Sequence, residues 1–269
     1  MIHVITAQNR QLYVEQLADM FQFRRIHFVE ENGWTDLRVD ESGERDAFDD
    51  DHAVYLLGLD PQDRIEVGLR VRPTTEGCIL ADHYPHMVAP GAPAVKGPEA
   101  WEMSRIFSTH AYRRERRGGR RVAEAFLAAM ETAHAAGAAQ LVGMVDMRLY
   151  PLASNIAWDL RLTGLPAAYP YGVMAGVRAA AGAAEIARLR ESLGLAGPAG
   201  YEVEAEDLAA CGSFQGVEAM FARARRASFE AAESPNHIAE AVAAYAYHDG
   251  RRAERQGVAG LAGAPWAAE

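Results

Sequence analysis

Apolar positions recur along this chain with two different periods. They are dense and short at residues 53–59 and 64–71, the pattern of strands, and Asp60-Pro61-Gln62-Asp63 between them supplies a hairpin turn. Residues 2–6, 141–146 and 173–177 read the same way, and 78–81 begins another short strand. Elsewhere the spacing is helical. Leu12, Val14, Leu17, Met20, Phe21 and Phe23 form a stripe within residues 8–32, a helix broken in two, which Asn32-Gly33 ends with a C-cap signal. Val122, Phe126, Met130 and Ala133 form a second stripe before Gly137. A third helix is expected over 148–162, interrupted near its start by Pro151, with Ile156, Trp158 and Leu160 inward and Thr163-Gly164-Leu165-Pro166 closing it. Helical spacing returns at 182–193, 203–228 and 236–255, with residues 194–200 as a linker.

Between these elements lie two long polar stretches. Residues 35–52 carry eight acidic side chains, Asp46 and Asp49 among them, and read as a loop. Residues 82–99 hold Pro85, Pro90, Pro93 and Pro98, and long loops of this kind are often lids. His83 and His86 stand there without a third ligand, so no metal site is assigned.

Composition narrows the class. The formal net charge is −10, which argues against nonspecific nucleic-acid binding. Only two cysteines occur, Cys78 and Cys211, with no metal spacing, and a reducing cytoplasm suits them. No charged-then-apolar leader opens the chain and no apolar run of about 18 residues appears, so a cytoplasmic protein with no membrane partner is expected.

The candidate chemistry concentrates at Trp101-Glu102-Met103-Ser104-Arg105-Ile106-Phe107. Strict alternation puts Glu102, Ser104 and Ile106 on one face, and Trp101, Met103, Arg105 and Phe107 on the other. A carboxylate on a mostly buried strand needs a partner or a task. Arg70, near the end of its strand, needs carboxylates too, and Asp46, Asp49 and Glu102 are available. Arg24 and Phe28 share one helix face; they are a surface arginine beside a core aromatic, or part of a site with Trp34. Arg116, Arg117, Gly119 and Arg120 form a basic, glycine-bearing turn before a helix. That turn is either solvated or a seat for phosphates.

In order, Arg24-x-x-x-Phe28-x-x-x-x-x-Trp34, Asp46-x-x-Asp49, Gly68-Leu-Arg70-Val-Arg72 and Glu102-x-Ser104-Arg105 resemble the acyl-homoserine-lactone synthases of bacterial quorum sensing. The resemblance covers roughly residues 1–180 and implies several things. The fold is an α/β one, a twisted mixed sheet flanked by helices and similar to acetyltransferases. Here it would carry a helical extension over 181–256 and a disordered tail over 257–269. The implied reaction joins S-adenosylmethionine to an acyl thioester delivered by acyl carrier protein or coenzyme A, releases methylthioadenosine and needs no tightly bound cofactor. By the same resemblance Glu102, Arg70, Arg105, Asp46 and Asp49 are catalytic, while Arg24, Phe28 and Trp34 surround S-adenosylmethionine. Trp101, Val142, Gly143, Met144 and Val145 line the acyl pocket, and Arg116, Arg117, Gly119 and Arg120 meet the carrier. The threonine that reads a 3-oxo group in some relatives has no counterpart in Val142-Gly143-Met144-Val145. The competing expectations are an acyl-coenzyme A N-acyltransferase acting on another amine, and a noncatalytic sensor of a thioester or nucleoside.

Overall fold

The computed structural model describes residues 1–114, 119–156 and 159–232. In chain order, β1 (Ile2–Ile5) leads through a 3-10 turn into α1 (Val14–Arg24), which continues as a π-helical segment over Arg25–Glu31. A small hairpin, β2 (Val39–Asp40) and β3 (Gly43–Glu44), precedes β4 (Val54–Leu59) and β5 (Ile65–Pro73). Then follow α2 (Ile79–His83), β6 (Ala100–Ser108), α3 (His110–Arg114), α4 (Arg120–Ala135) and β7 (Gln140–Asp146). The remainder is α5 (Tyr150–Ile156), β8 (Arg161–Leu162), β9 (Ala167–Tyr169), β10 (Gly172–Ala180), α6 (Ala183–Ser192), β11 (Gly200–Tyr201), α7 (Ala205–Cys211) and α8 (Phe214–Ala232).

The strands form one mixed sheet in the order β11-β1-β4-β5-β6-β7-β10-β8, with β9 also on β10. The pairs β1–β11 and β6–β7 are parallel and the others antiparallel. Alternate residues of β4 and β5 feed two cores. Val54, Leu56, Val67, Leu69 and Val71 pack with α4 and α6, while Tyr55, Leu57 and Ile65 pack with α1 and α8. A third cluster, around Leu80, Met87 and Met174, sits under α2 and the 84–95 loop. The expected twisted mixed sheet with helices on both faces is the fold found.

Four local expectations change. Residues 79–83 are helical rather than extended, because Glu102 and the Cys78 sulfur accept the first N–H groups of that turn. Helix α5 stops at Ile156, and Arg161–Leu162 instead adds a strand beside β10. The helix expected over 203–228 is two, divided at Gly212, whose φ of 74° suits a left-handed C-cap. The 194–200 linker ends as a strand, and Glu131 of α4 holds it by accepting the backbone N–H groups of Ala199 and Gly200. Residues 233–269, including the helix expected over 236–255 and the tail, lie outside the described residues, as does Trp158.

The phase of β6 changes as well. Gly68 pairs with Phe107 but Arg70 pairs with Ser104, so β6 carries one residue more than β5 across that interval. The extra residue is a β-bulge at Arg105, which adopts a left-handed φ of 54°. Beyond it the alternation reverses. Phe107 joins the α1 face, lying over Gly68, where a Cβ would meet its ring at 2.6 Å. Arg105 thereby shares the Glu102 and Ser104 side instead of opposing it.

Candidate functional site

The bulge completes a closed ring of six alternating charges. Arg24 Nε donates to Glu44 at 2.7 Å, and Arg24 Nη1 and Nη2 donate to both Asp49 oxygens at 2.7 and 2.9 Å. Arg70 Nη1 meets Asp49 at 2.8 Å, and Arg70 donates twice to Asp46 at 2.6 and 3.0 Å. Arg105 Nη2 closes the ring, 2.8 Å from Asp46 and 3.0 Å from Glu44. The Arg70 Nε donates to the Ser104 hydroxyl at 3.1 Å, and the Tyr55 hydroxyl donates to Asp49 at 3.0 Å. Three arginines and three carboxylates balance, which makes burial of the ring tolerable. Only Arg105 and Asp46 keep notable side-chain exposure, 11% and 19%. Left-handed backbone at a non-glycine residue costs about 1–3 kcal/mol, and the Arg105 contacts offset it.

The acidic stretch is therefore not a solvated loop at its centre. Asp46 and Asp49 meet Arg70 as expected, and Glu44, fully buried, joins them. Glu44 was legible only as one acid among eight; the count of arginines demanding partners was the usable signal. Asp50 and Asp51 take peripheral roles, pairing with Arg72 and Arg10.

Burial alone would raise the carboxyls of Asp46 and Asp49, but the arginines outweigh it and hold both below the ordinary aspartate range. A carboxylate depressed in the fold contributes stability above its unfolded pKa and loses it as pH falls through the folded value. The stability that Asp46 and Asp49 contribute should thus stay level from neutral pH down to about 4 and then drop steeply. Chemical denaturation at a series of pH values measures this. A flat profile below about pH 3 would mean that the ring is not ionised as described.

Glu102 does not bond to Arg70. Its carboxylate, 1% exposed, accepts from the backbone N–H of Ile79 at 2.7 Å and of Leu80 at 2.8 Å, and from the Cys78 thiol at 3.4 Å. Burial raises the Glu102 carboxyl, with the two backbone donors opposing. It also pushes the Cys78 thiol up to about 12, with Glu102 adding to the shift. Of about four lone-pair sites on a carboxylate, three are occupied and one remains.

Strands β6 and β7 pair from Ala100↔Gln140 to Met103↔Gly143 and then part. Gly143 sits at the fork because a Cβ there would meet the Met103 carbonyl oxygen at 2.6 Å. Its lack of a side chain lets the two strands approach; it does not widen the pocket. Two adjoining cavities fill the fork. One, of about 440 Å³, is lined by Phe28, Trp34, Glu102, Ser104, Arg105 and Arg148 among others. The other, of about 340 Å³, has walls that include Phe126, Val142, Gly143, Leu152, Ile156 and Val177. They share His27, Met103, Ile106, Met144, Val145 and Leu149.

Other expected residues are placed as follows. Phe28 lies beneath the Arg105 guanidinium, 5.7 Å away, and 5.3 Å from Trp34. Trp34 also stacks on Tyr171 and touches Tyr169, aromatics that the motif spacing did not reveal. Arg24 lies behind the cavity rather than in its wall, because Glu44 and Asp49 take its guanidinium. Trp101 packs in the α4 core and lines neither cavity. Val142, Gly143, Met144 and Val145 all line the apolar cavity. Arg116 and Arg117 lie outside the described residues. Gly119 is the N-cap of α4, and Arg120, largely exposed, pairs with Glu124. Among the described residues no cluster suited to a metal ion occurs, and no helix is long and apolar enough to cross a membrane.

Residues 8–176 match the family model described as autoinducer synthase. The chain is similar to the isovaleryl-homoserine lactone synthase of Bradyrhizobium diazoefficiens, 35% identical over 168 residues, 62% of this chain and 74% of that one. It is also similar to an acyl-homoserine-lactone synthase of Ralstonia nicotianae, 30% identical over 52% of this chain and 69% of that one. Among solved structures, a CoA-dependent acyl-homoserine lactone synthase with SAM and isopentyl-CoA aligns with a TM-score of 0.67. It is 27% identical, over 81% of this chain and 97% of that one. A synthase in a ternary complex with an inhibitor and MTA gives a TM-score of 0.59 at 28% identity, over 74% of this chain and 98% of that one. By its matched span and the similarity of these relatives, the chain belongs to the autoinducer synthase family.

Proposed function

We propose that this protein makes an N-acyl-homoserine lactone in the cytoplasm from S-adenosylmethionine and an acyl-coenzyme A, releasing methylthioadenosine. The observation that carries the proposal is a pair of adjoining cavities that differ in character. One is aromatic and charged, beside Phe28, Trp34, Glu102 and Arg105, and the other, with which it shares Met144 and Val145, is apolar. A sulfonium and an adenine suit Phe28 and Trp34, because a cation is attracted to ring faces and a base stacks on them. An acyl chain suits the apolar part. The choice of coenzyme A over a carrier protein follows the similarity to the CoA-dependent synthase. Its phosphates would lie toward Gly119 and Arg120 at the start of α4.

In this proposal the α-ammonium of S-adenosylmethionine loses a proton to Glu102 through water. The free amine attacks the thioester carbonyl, and backbone N–H groups of β6 past Met103, unpaired with β7, face the developing oxyanion. The thiol departs and leaves an amide. The methionyl carboxylate then displaces the sulfonium at its γ-carbon, closing the lactone. The ion ring holds Arg105 and Ser104 in register, so the site is organised before substrate arrives.

Incubating the protein with S-adenosylmethionine and a series of acyl-coenzyme A donors should yield an acyl-homoserine lactone and methylthioadenosine, read by mass spectrometry. Amides of another amine without any lactone would replace this function with that of an ordinary N-acyltransferase. The β7 wall offers no hydroxyl, so a buried 3-oxo group would lose water hydrogen bonds at a cost of about 1–3 kcal/mol. An unsubstituted acyl donor should therefore be preferred over its 3-oxo counterpart of equal length by roughly one to two decades. A competition assay dominated by the 3-oxo product would mean that Ser108, His27 or Arg113, polar side chains elsewhere around that cavity, donates instead.

A further inference from the structure

His27 belongs to neither the ion ring nor the sequence motifs, yet it lines both cavities. It stands in the π-helical segment, edge-on to Phe28 with ring centroids 4.9 Å apart. Its Nδ1 lies 3.3 Å from a Glu31 carboxylate oxygen. Glu31 is itself gripped by Arg113 of α3, whose Nη2 is 2.8 and 2.7 Å from its two oxygens. The Arg113 Nη1 lies 3.4 Å from His27 Nδ1, and His110 Nδ1 lies 3.7 Å from Glu31. Nδ1 thus has an acceptor and a donor beside it; we assign its hydrogen to the nearer partner, the Glu31 carboxylate, which leaves Nε2 its lone pair. Among the described residues nothing hydrogen-bonds to Nε2. In that tautomer a ring that lines both cavities holds an uncommitted lone pair, oriented by a clamped carboxylate, which is the arrangement of a working base.

The charged groups around His27 are Glu31 on its own segment, Arg113 and His110 on α3, and Arg105 across Phe28. Burial lowers the imidazole pKa below the ordinary 6.5; Glu31 opposes this and Arg113 adds to it. The ring is thus neutral at neutral pH.

Resting on the acyl transfer proposed above, we infer that His27 is a further catalytic residue, which moves a proton from the attacking nitrogen to the leaving sulfur. After Glu102 has taken the ammonium proton, the amine forms the C–N bond and the carbonyl electron pair moves to oxygen. The adduct nitrogen gives its next proton to His27 Nε2. The oxygen pair re-forms the carbonyl, the C–S bond breaks, and the thiolate takes the proton from Nε2. The products are the amide, a free thiol and the one proton released through Glu102, with no change of oxidation state.

The test uses the full-length protein, S-adenosylmethionine and the fastest donor from a series of straight-chain acyl-coenzyme A thioesters. His27→Gln should lower kcat roughly 10²-fold with the S-adenosylmethionine KM unchanged. The part of the wild-type fall in kcat at acid pH that comes from protonation of Nε2 should be lost in that variant, leaving only the fall set by Glu102. His27→Ala should regain part of its rate when imidazole is added, which a merely structural role would not allow. A His27→Gln kcat within about threefold of wild type, with the acid fall intact, overturns the inference. So does a folded His27→Ala protein that binds S-adenosylmethionine and is not accelerated by imidazole. A wild-type protein that forms no lactone from any donor would instead defeat the proposed function, and that is read before any variant.

Discussion

Glu102→Gln should lower turnover by roughly 10²- to 10⁴-fold, the scale of a lost acid–base group, while the melting midpoint moves by only a few degrees. The kinetic expectation follows from position. Glu102 lines the charged cavity, and three of its acceptor sites are spent on Ile79, Leu80 and Cys78, leaving one. Burial raises its pKa, which makes the carboxylate a stronger base than an exposed one. The stability expectation follows from two opposed changes. Glutamine gives up one acceptor, at about 1–3 kcal/mol, but it also removes a charge that burial already disfavours. Steady-state kinetics and a thermal melt on the same preparation decide the matter. Near-normal turnover would reduce Glu102 to a cap for α2, and a collapse in stability would make any kinetic loss uninformative.

Arg24→Met should destabilise the fold by about 3–5 kcal/mol, more than a surface substitution and more than most core changes. Arg24 is 1% exposed and neutralises two carboxylates that are themselves buried, Glu44 and Asp49. Methionine fills much of the same space, so the loss is electrostatic rather than a cavity. Arg105 and Arg70 would remain as the only cationic partners of those acids. At about 2–4 °C per kcal/mol, the midpoint should fall by roughly 10 °C. The variant should recover part of this loss under mild acid, because Asp49, no longer held down by Arg24, protonates more readily and relieves the unpaired charge. An unfolding free energy within about 1 kcal/mol of wild type would show that the acids are satisfied without Arg24.

The sheet strands and the long helices were legible because their apolar periods are strong and their caps unambiguous, as at Asn32-Gly33 and Gly137. The need of Arg70 for carboxylates pointed to Asp46, Asp49 and Glu102, of which the first two are its partners. Three things were hidden. A β-bulge leaves no mark on alternation until the partner register is known, so Arg105 and Phe107 were assigned to the wrong face. The start of α2 depends on a carboxylate 23 residues away, a contact that no local propensity carries. Glu44 and His27 owe their surroundings to partners distant in sequence, Arg105 and Arg113. What failed was inference across long loops, where geometry rather than composition decides which acids are buried.

The two-residue strand β11 has a consequence for self-association. It pairs in parallel with β1, from Ile2↔Gly200 to His3↔Tyr201, on the side opposite β4. Without it, the outer backbone groups of β1 would form an open sheet border, the kind of border that recruits a second chain. The chain beyond that strand covers the neighbouring apolar face as well. Phe214, Val217 and Phe221 of α8 are buried beside Tyr13 and Tyr201, and Glu218 reaches His3. A chain shortened to its first 180 residues would keep the whole charged ring and the fork. It would also present a bare strand border next to an uncovered greasy face, so its failure would be one of colloidal behaviour before it was one of chemistry.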